Sequence, residues 1–136
     1  MQIQIEAVPE EGDCQVLRDR LTAYNKLHAD DDNFAPLSIF VRDEEGHIKG
    51  GLLGETFWRW LHISIVWIDE DVRDRGWGSK LIQTAEAEAI SRGCIGVFVD
   101  SLSFQAPDFY SKHGYSIWGE LDGLPPGHRR IFFRNN

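Results

Sequence analysis

The stretch Leu61-His62-Ile63-Ser64-Ile65-Val66-Trp67-Ile68 constrains the fold more than any other part of the chain. A strand with one wet face alternates apolar and polar residues, whereas this one is apolar along almost its whole length, as suits a strand covered on both faces in the middle of a sheet. It is followed by Asp69-Glu70-Asp71-Val72, by Arg73-Asp74-Arg75-Gly76-Trp77-Gly78, and then by Leu81, Ile82, Ala85 and Ala89 at the spacing of a buried helical stripe that stops at Gly93. Residues 95–99 read as another buried strand, parallel to the first if the helix between them is a crossover. Strand, glycine loop, helix, parallel strand is the frame into which the rest must fit.

The remaining elements surround that frame. Ile3 and Ile5 alternate with polar neighbours before Pro9 and suggest a short first strand. Val16, Leu17, Leu21, Tyr24 and Leu27 mark an amphipathic helix over about residues 13–29, with Asp13 placed to cap it and the acidic run at 30–32 ending it. Residues 36–42 and 48–54 form a hairpin around the turn at 43–46. Pro107 to His113 fits a short helix closed by Gly114, and residues 115–121 and 130–133 pair across the loop at 124–128. The composite is α/β, with a mixed sheet antiparallel at first and one late parallel crossover. A length of 136 residues implies one domain, 1–136, and 42% hydrophobic residues supply its core.

Several classes are disfavoured at once. No apolar run reaches the roughly 18 residues of a membrane span, and the start lacks a basic signal-peptide region, so a cytoplasmic protein without a membrane partner is expected. A net charge of −8 works against binding nucleic acid and mildly favours a cationic small molecule. Cys14 and Cys94 show no ligand spacing, and the five histidines include no paired-ligand motif, so no metal is expected.

The chemistry points first to residues 73–80. Glycines there let a ligand approach the backbone, and the free N–H groups of the first helical turn form an anion site for a phosphate or pyrophosphate, reinforced by Arg73, Arg75 and Lys80. The pattern is neither a Walker loop nor a dinucleotide fingerprint. An ordinary strand-to-helix turn is the plain alternative.

The segment from Ser103 to Tyr115 decides between them. Together the two segments resemble the N-acetyltransferase superfamily related to the general control histone acetyltransferases (GNAT). Its R/Q-x-x-G-x-G/A loop is matched at Arg73, Gly76 and Gly78, and its later Asn-x-x-Ala-x-x-hydrophobic-Tyr-x-Lys-x-Gly-aromatic pattern at Ala106, Phe109, Tyr110, Lys112, Gly114 and Tyr115, with Ser103 in the asparagine position. The resemblance covers residues 3–133. It implies the single-domain acyl-CoA N-acyltransferase fold, a mixed, mostly antiparallel sheet with a central parallel strand pair and helices on both faces. It also implies acetyl-CoA as cosubstrate: Val66, Trp67 and Ile68 would pair with the pantetheine arm between splayed strand ends. Arg73, Asp74, Arg75, Gly76, Trp77, Gly78 and Ser79 would hold the pyrophosphate, and Ser103, Ala106 and Tyr110 would lie beside the cofactor. Tyr110 resembles the tyrosine that protonates the departing thiolate.

Attack of an amine on a thioester needs a neutral amine, so something must accept its proton. Candidates are Glu55, Asp69, Glu70, Asp100, Glu120 and His62, each with a structural alternative as a solvated charge, a cap or a hydrogen-bonded residue. Many family members carry a glutamate where Ser64 stands here, which favours a water chain as the route. Phe57, Trp58 and Trp60 could line an acceptor pocket, form a homodimer contact or simply pack. The expected activity is acetyl transfer to a primary amine of a small molecule, directly within a ternary complex. The alternatives are a protein or peptide acceptor and a non-catalytic acyl-CoA-binding module.

Overall fold

The computed structural model describes all residues from Met1 to Asn136 and divides them into two compact units, Met1–Asp32 and Asn33–Asn136. The first unit holds α1 (Glu11–Lys26), which begins after Glu10 with no side-chain cap and buries none of its residues. Asp13 therefore lies inside the first turn, where its charge still suits the positive end of the helix dipole. The strand expected at Ile3 and Ile5 does not form, and both side chains are fully exposed. Two alternating residues give a strand its pattern but not the partner its N–H and C=O groups require. No helix is long and apolar enough to cross a membrane.

The second unit is a six-stranded sheet in the order β1-β2-β3-β4-β6-β5. β1 (Ala35–Arg42), β2 (Ile48–Phe57) and β3 (Trp60–Ile68) form an antiparallel meander, β3 pairs in parallel with β4 (Gly96–Leu102), and β6 (Arg129–Asn135) runs antiparallel to both β4 and β5 (Ser116–Asp122). The parallel pair lies at the centre, as the apolar run at 61–68 predicts, but the cover on both faces expected of that run stops at Ile63, and Ile65 and Trp67 are half exposed. At the first hairpin, the Asp43 carboxylate accepts the N–H groups of Glu45 and His47. At the second, Trp58 and Arg59 carry φ of 45° and 65°. This is the two-residue turn with both centres left-handed, which matches strand twist, and two non-glycine residues accept that conformation here at a cost of roughly 1–2 kcal/mol each.

α2 (Trp77–Ser91) crosses from β3 to β4 and buries Leu81, Ile82, Ala85 and Ala89, the stripe read from the sequence. These pack with Leu52, Leu61, Ile63, Val97, Val99, Ile131 and Phe133 into one core. The end of α2 is tied to the meander by Arg92, whose guanidinium donates to the carbonyls of Ala35 and Pro36 and to Thr56 Oγ1. Because strand side chains alternate, the core residues Leu61, Ile63, Val97 and Val99 leave His62, Phe98 and Asp100 on the sheet face turned away from α2. α3 (Asp108–Lys112) packs against β5 and buries Tyr110.

Candidate active site at the split between the parallel strands

The parallel ladder is short. Trp60 to Ile63 pair with Gly96 to Val99, and there the pairing stops while both strands continue. Beyond it, β3 keeps only β2 as neighbour and β4 keeps only β6. A bulge at Leu53/Gly54 coincides with the parting of the strands, and the Ser64 hydroxyl there donates to the Leu53 carbonyl. Just past β3, the Asp69 N–H bonds the Lys49 carbonyl on the β2 side. Strand alternation then turns the N–H and C=O groups of Val66 and Ile68 toward the gap left by β4. The Ile68 carbonyl is met there by Arg73 Nε at 2.8 Å. The sequence-derived trio Val66, Trp67 and Ile68 thus forms a one-sided strand edge, and the Trp67 indole caps Asp69 at 2.9 Å while stacking under the Arg73 guanidinium at 4.7 Å.

That edge runs through the 3-10 turn Glu70–Val72 into the glycine loop. Asp74 and Gly76 have φ of 61° and 82°, a sharp reversal that the glycine meets without strain. The first intrahelical donor of α2 is the Lys80 N–H, to the Gly76 carbonyl, so the N–H groups of Trp77, Gly78 and Ser79 are left for an outside acceptor. Gly78 also lies against α3: a Cβ there would come within 3.3 Å of the Phe109 ring. Ser79 Oγ is 3.0 Å from His113 Nε2, a second clasp between α2 and α3. Arg73 is engaged with β3, and Lys80 lies over the Trp77 ring at 4.5 Å, which places positive charge on both flanks of the loop.

The clasp sets Tyr110. Its ring packs on Phe133, Tyr115 and Phe109 at 5.3, 5.8 and 5.2 Å. Burial, and secondarily the charge of Asp100, push its phenol up to about 12, so the hydroxyl stays protonated and able to donate. The neighbouring Tyr115 phenol is raised as well, again mainly by burial, and donates to Glu86 at 2.9 Å. Ala106 sits at φ 57°, bending the chain into α3. Ser103 lies at the start of the same loop, its hydroxyl oxygen accepting the Arg129 N–H at 3.0 Å.

The proton-acceptor candidates separate by partner. Asp69 lies 3.8 Å from Lys49, Glu120 lies 3.8 Å from Arg129, and Asp100 pairs closely with Arg130. Glu70 is exposed in the 3-10 turn. Glu55 and His62 instead bond each other at 2.6 Å, beside the aromatic rings of Phe57, Trp60 and Phe98. Phe98 is the residue that sequence reasoning missed: it read only as core, and its role depends on its register against His62.

Residues 5–115 match the Acetyltransferase (GNAT) family. Blasticidin-S acetyltransferase of Streptomyces morookaense is 42% identical over 96 residues, covering 68% of this chain and 71% of that protein. Acetyltransferase Atu2258 of Agrobacterium fabrum is 33% identical over 113 residues, covering 83% and 82%. Among solved structures, an acetyltransferase from Bacillus cereus ATCC 14579 superposes with a TM-score of 0.88 at 35% identity, covering 97% of this chain and 96% of that one. The chain belongs to the GNAT acetyltransferase family, an enzyme class that draws its acetyl group from acetyl-CoA.

Proposed function

We propose that residues 1–136 act as one N-acetyltransferase domain that moves the acetyl group of acetyl-CoA to a primary amine of a small molecule, directly within a ternary complex. The observation that carries this reading is the half of β3 that lacks β4 as a neighbour, which runs into the glycine loop at 73–79, where Gly78 and Ser79 meet Phe109 and His113 around the helix that carries buried Tyr110. Val66 and Ile68 offer the amide arm of pantetheine the hydrogen bonds that β4 does not make. The first turn of α2 offers three N–H groups and a positive dipole end to the pyrophosphate. Within the unit that holds the sheet, the cysteine Cys94 precedes β4, at the end of the parallel ladder opposite the split, which favours direct attack by the amine.

Tyr110 acts on the sulfur. Full transfer from a phenol near 12 to a thiolate of ordinary affinity, near 8.5, is uphill by roughly 4–5 kcal/mol. Its first contribution is therefore a hydrogen bond to the sulfur as charge develops, and desolvation of the thiolate in the same site narrows the gap. A small-molecule acceptor is supported by the Streptomyces relative, whose name makes blasticidin S the first amine to try, and by the net charge of −8, which suits a cation. The test is acetyl-CoA consumption across a panel of amines that includes blasticidin S and a lysine peptide. Turnover with small amines and none with the peptide is expected; the reverse order refutes the acceptor class.

A further inference from the structure

The face of the sheet turned away from α2 carries a second set of chemically able groups. Glu55 and His62 are direct partners across the β2–β3 hairpin, with His62 Nδ1 2.6 Å from Glu55 Oε1 and both side chains about a quarter exposed, at 26% and 27%. The imidazole lies flat on Phe98, with centroids 4.8 Å apart and planes 20° from parallel. Phe57 and Trp60 stand edge-on to the same ring, each 6.2 Å away. Trp60 fits there because residue 96 is glycine: a Cβ would meet its indole at 2.5 Å. The pair His62/Phe98 is the last but one of the parallel ladder, one residue before the strands part. A strand advances about 3.3 Å per residue, so the imidazole stands at the mouth of the split.

Resting on the acetyl-transfer reading above, we propose that His62 is the general base of the reaction and Glu55 its positioning residue. The Glu55 carboxylate takes the Nδ1–H, which fixes the ring and leaves the lone pair on Nε2. The acceptor enters from the aromatic side, where ring faces attract an ammonium group. The bound ammonium first loses one proton to solvent; the neutral amine then attacks the thioester carbonyl, the C–N bond forms and the C–S bond breaks. The proton on the new C–N nitrogen passes to His62 Nε2, and the thiolate takes the Tyr110 proton. The imidazolium later returns a proton to the phenolate through solvent, leaving amide and free thiol. The charged groups facing His62 are Glu55 from β2 and, two residues beyond Phe98 on β4, Asp100, itself paired with Arg130 of β6.

The experiment uses an amine that the wild-type protein acetylates. His62→Gln is expected to lower kcat/KM for the amine by about 100-fold or more while acetyl-CoA affinity, read by calorimetry, stays within about twofold. The acidic limb of the wild-type pH profile should vanish in His62→Gln, imidazole in the buffer should restore part of the rate of His62→Ala, and Glu55→Gln should cost about tenfold. A folded His62→Gln protein with wild-type rate and pH limb overturns the assignment. So does a wild-type profile that shows no ionisation besides that of the amine, a result that needs no variant to fold. A wild-type protein that binds acetyl-CoA and acetylates no amine defeats the parent reading, whereas turnover indifferent to His62 defeats the base alone.

Discussion

Along β3, residues 60–63 are bonded to a strand on each side, whereas residues 64–68 have β2 on one side and a gap on the other. The first half contains Leu61 and Ile63, at 0% and 1% exposure, and the second contains Ile65 and Trp67, at 54% and 55%. One continuous apolar run thus serves two purposes. Where both edges are satisfied the strand holds the core together; where one edge is open, its peptide groups are available to a ligand. The division falls at the bulge beside Ser64, not at any change in composition.

Four substitutions and a pH series probe that division. Tyr110→Phe, on the ligand side, keeps the ring packing and removes the donor, so kcat should fall roughly 100-fold to 10,000-fold with acetyl-CoA affinity little changed. A wild-type rate would make Tyr110 a packing residue. Leu61→Ala, on the structural side, opens a cavity in a site with no exposure and should cost about 2–5 kcal/mol in urea unfolding.

Alkali should act through the two raised phenols, Tyr115 and Tyr110. The folded phenol of Tyr110, near 12, lies above the ordinary value of 10, so the folded state holds the proton more tightly. Its contribution is therefore complete below pH 10 and is lost as pH rises through 12, on the order of 2–3 kcal/mol. Denaturant curves at pH 9 and 11.5 should diverge less for Tyr110→Phe than for the wild type. Gly78→Val should weaken CoA binding by at least about tenfold, since the new side chain meets Phe109 and blocks the approach to the first turn of α2. Ile65→Ala, half exposed on the open arm, should change stability by no more than about 0.5 kcal/mol. A loss comparable to that of Leu61→Ala would erase the contrast between the two arms.

Much of this was legible in the chain. The buried stripe of α2, the central position of β3 and the short helix carrying Tyr110 follow from helical spacing, continuous hydrophobicity, and proline and glycine placement. The hairpin at Trp58-Arg59 was not legible, because a turn with both centres left-handed normally announces itself with glycine or asparagine and here does not. Its loss concealed that β2 extends to Phe57, and with it that Glu55 faces His62. Ser103 matches the family pattern by position, and the bond its hydroxyl oxygen accepts from the Arg129 N–H is a contact 26 residues away that no local pattern encodes. The end of the parallel ladder at Ile63 is equally a property of register. The site depends on that ending as much as on any side chain.

Amide hydrogen exchange with and without CoA, read residue by residue by NMR, tests the central claim most directly. The open half of β3 and the first turn of α2 should gain protection on adding CoA, at Val66, Ile68, Trp77, Gly78 and Ser79, while Leu61 and Ile63, already bonded on both sides, should not change. Protection confined to other strands, or CoA binding that leaves Val66 and the 77–79 amides exchanging as before, would contradict the account.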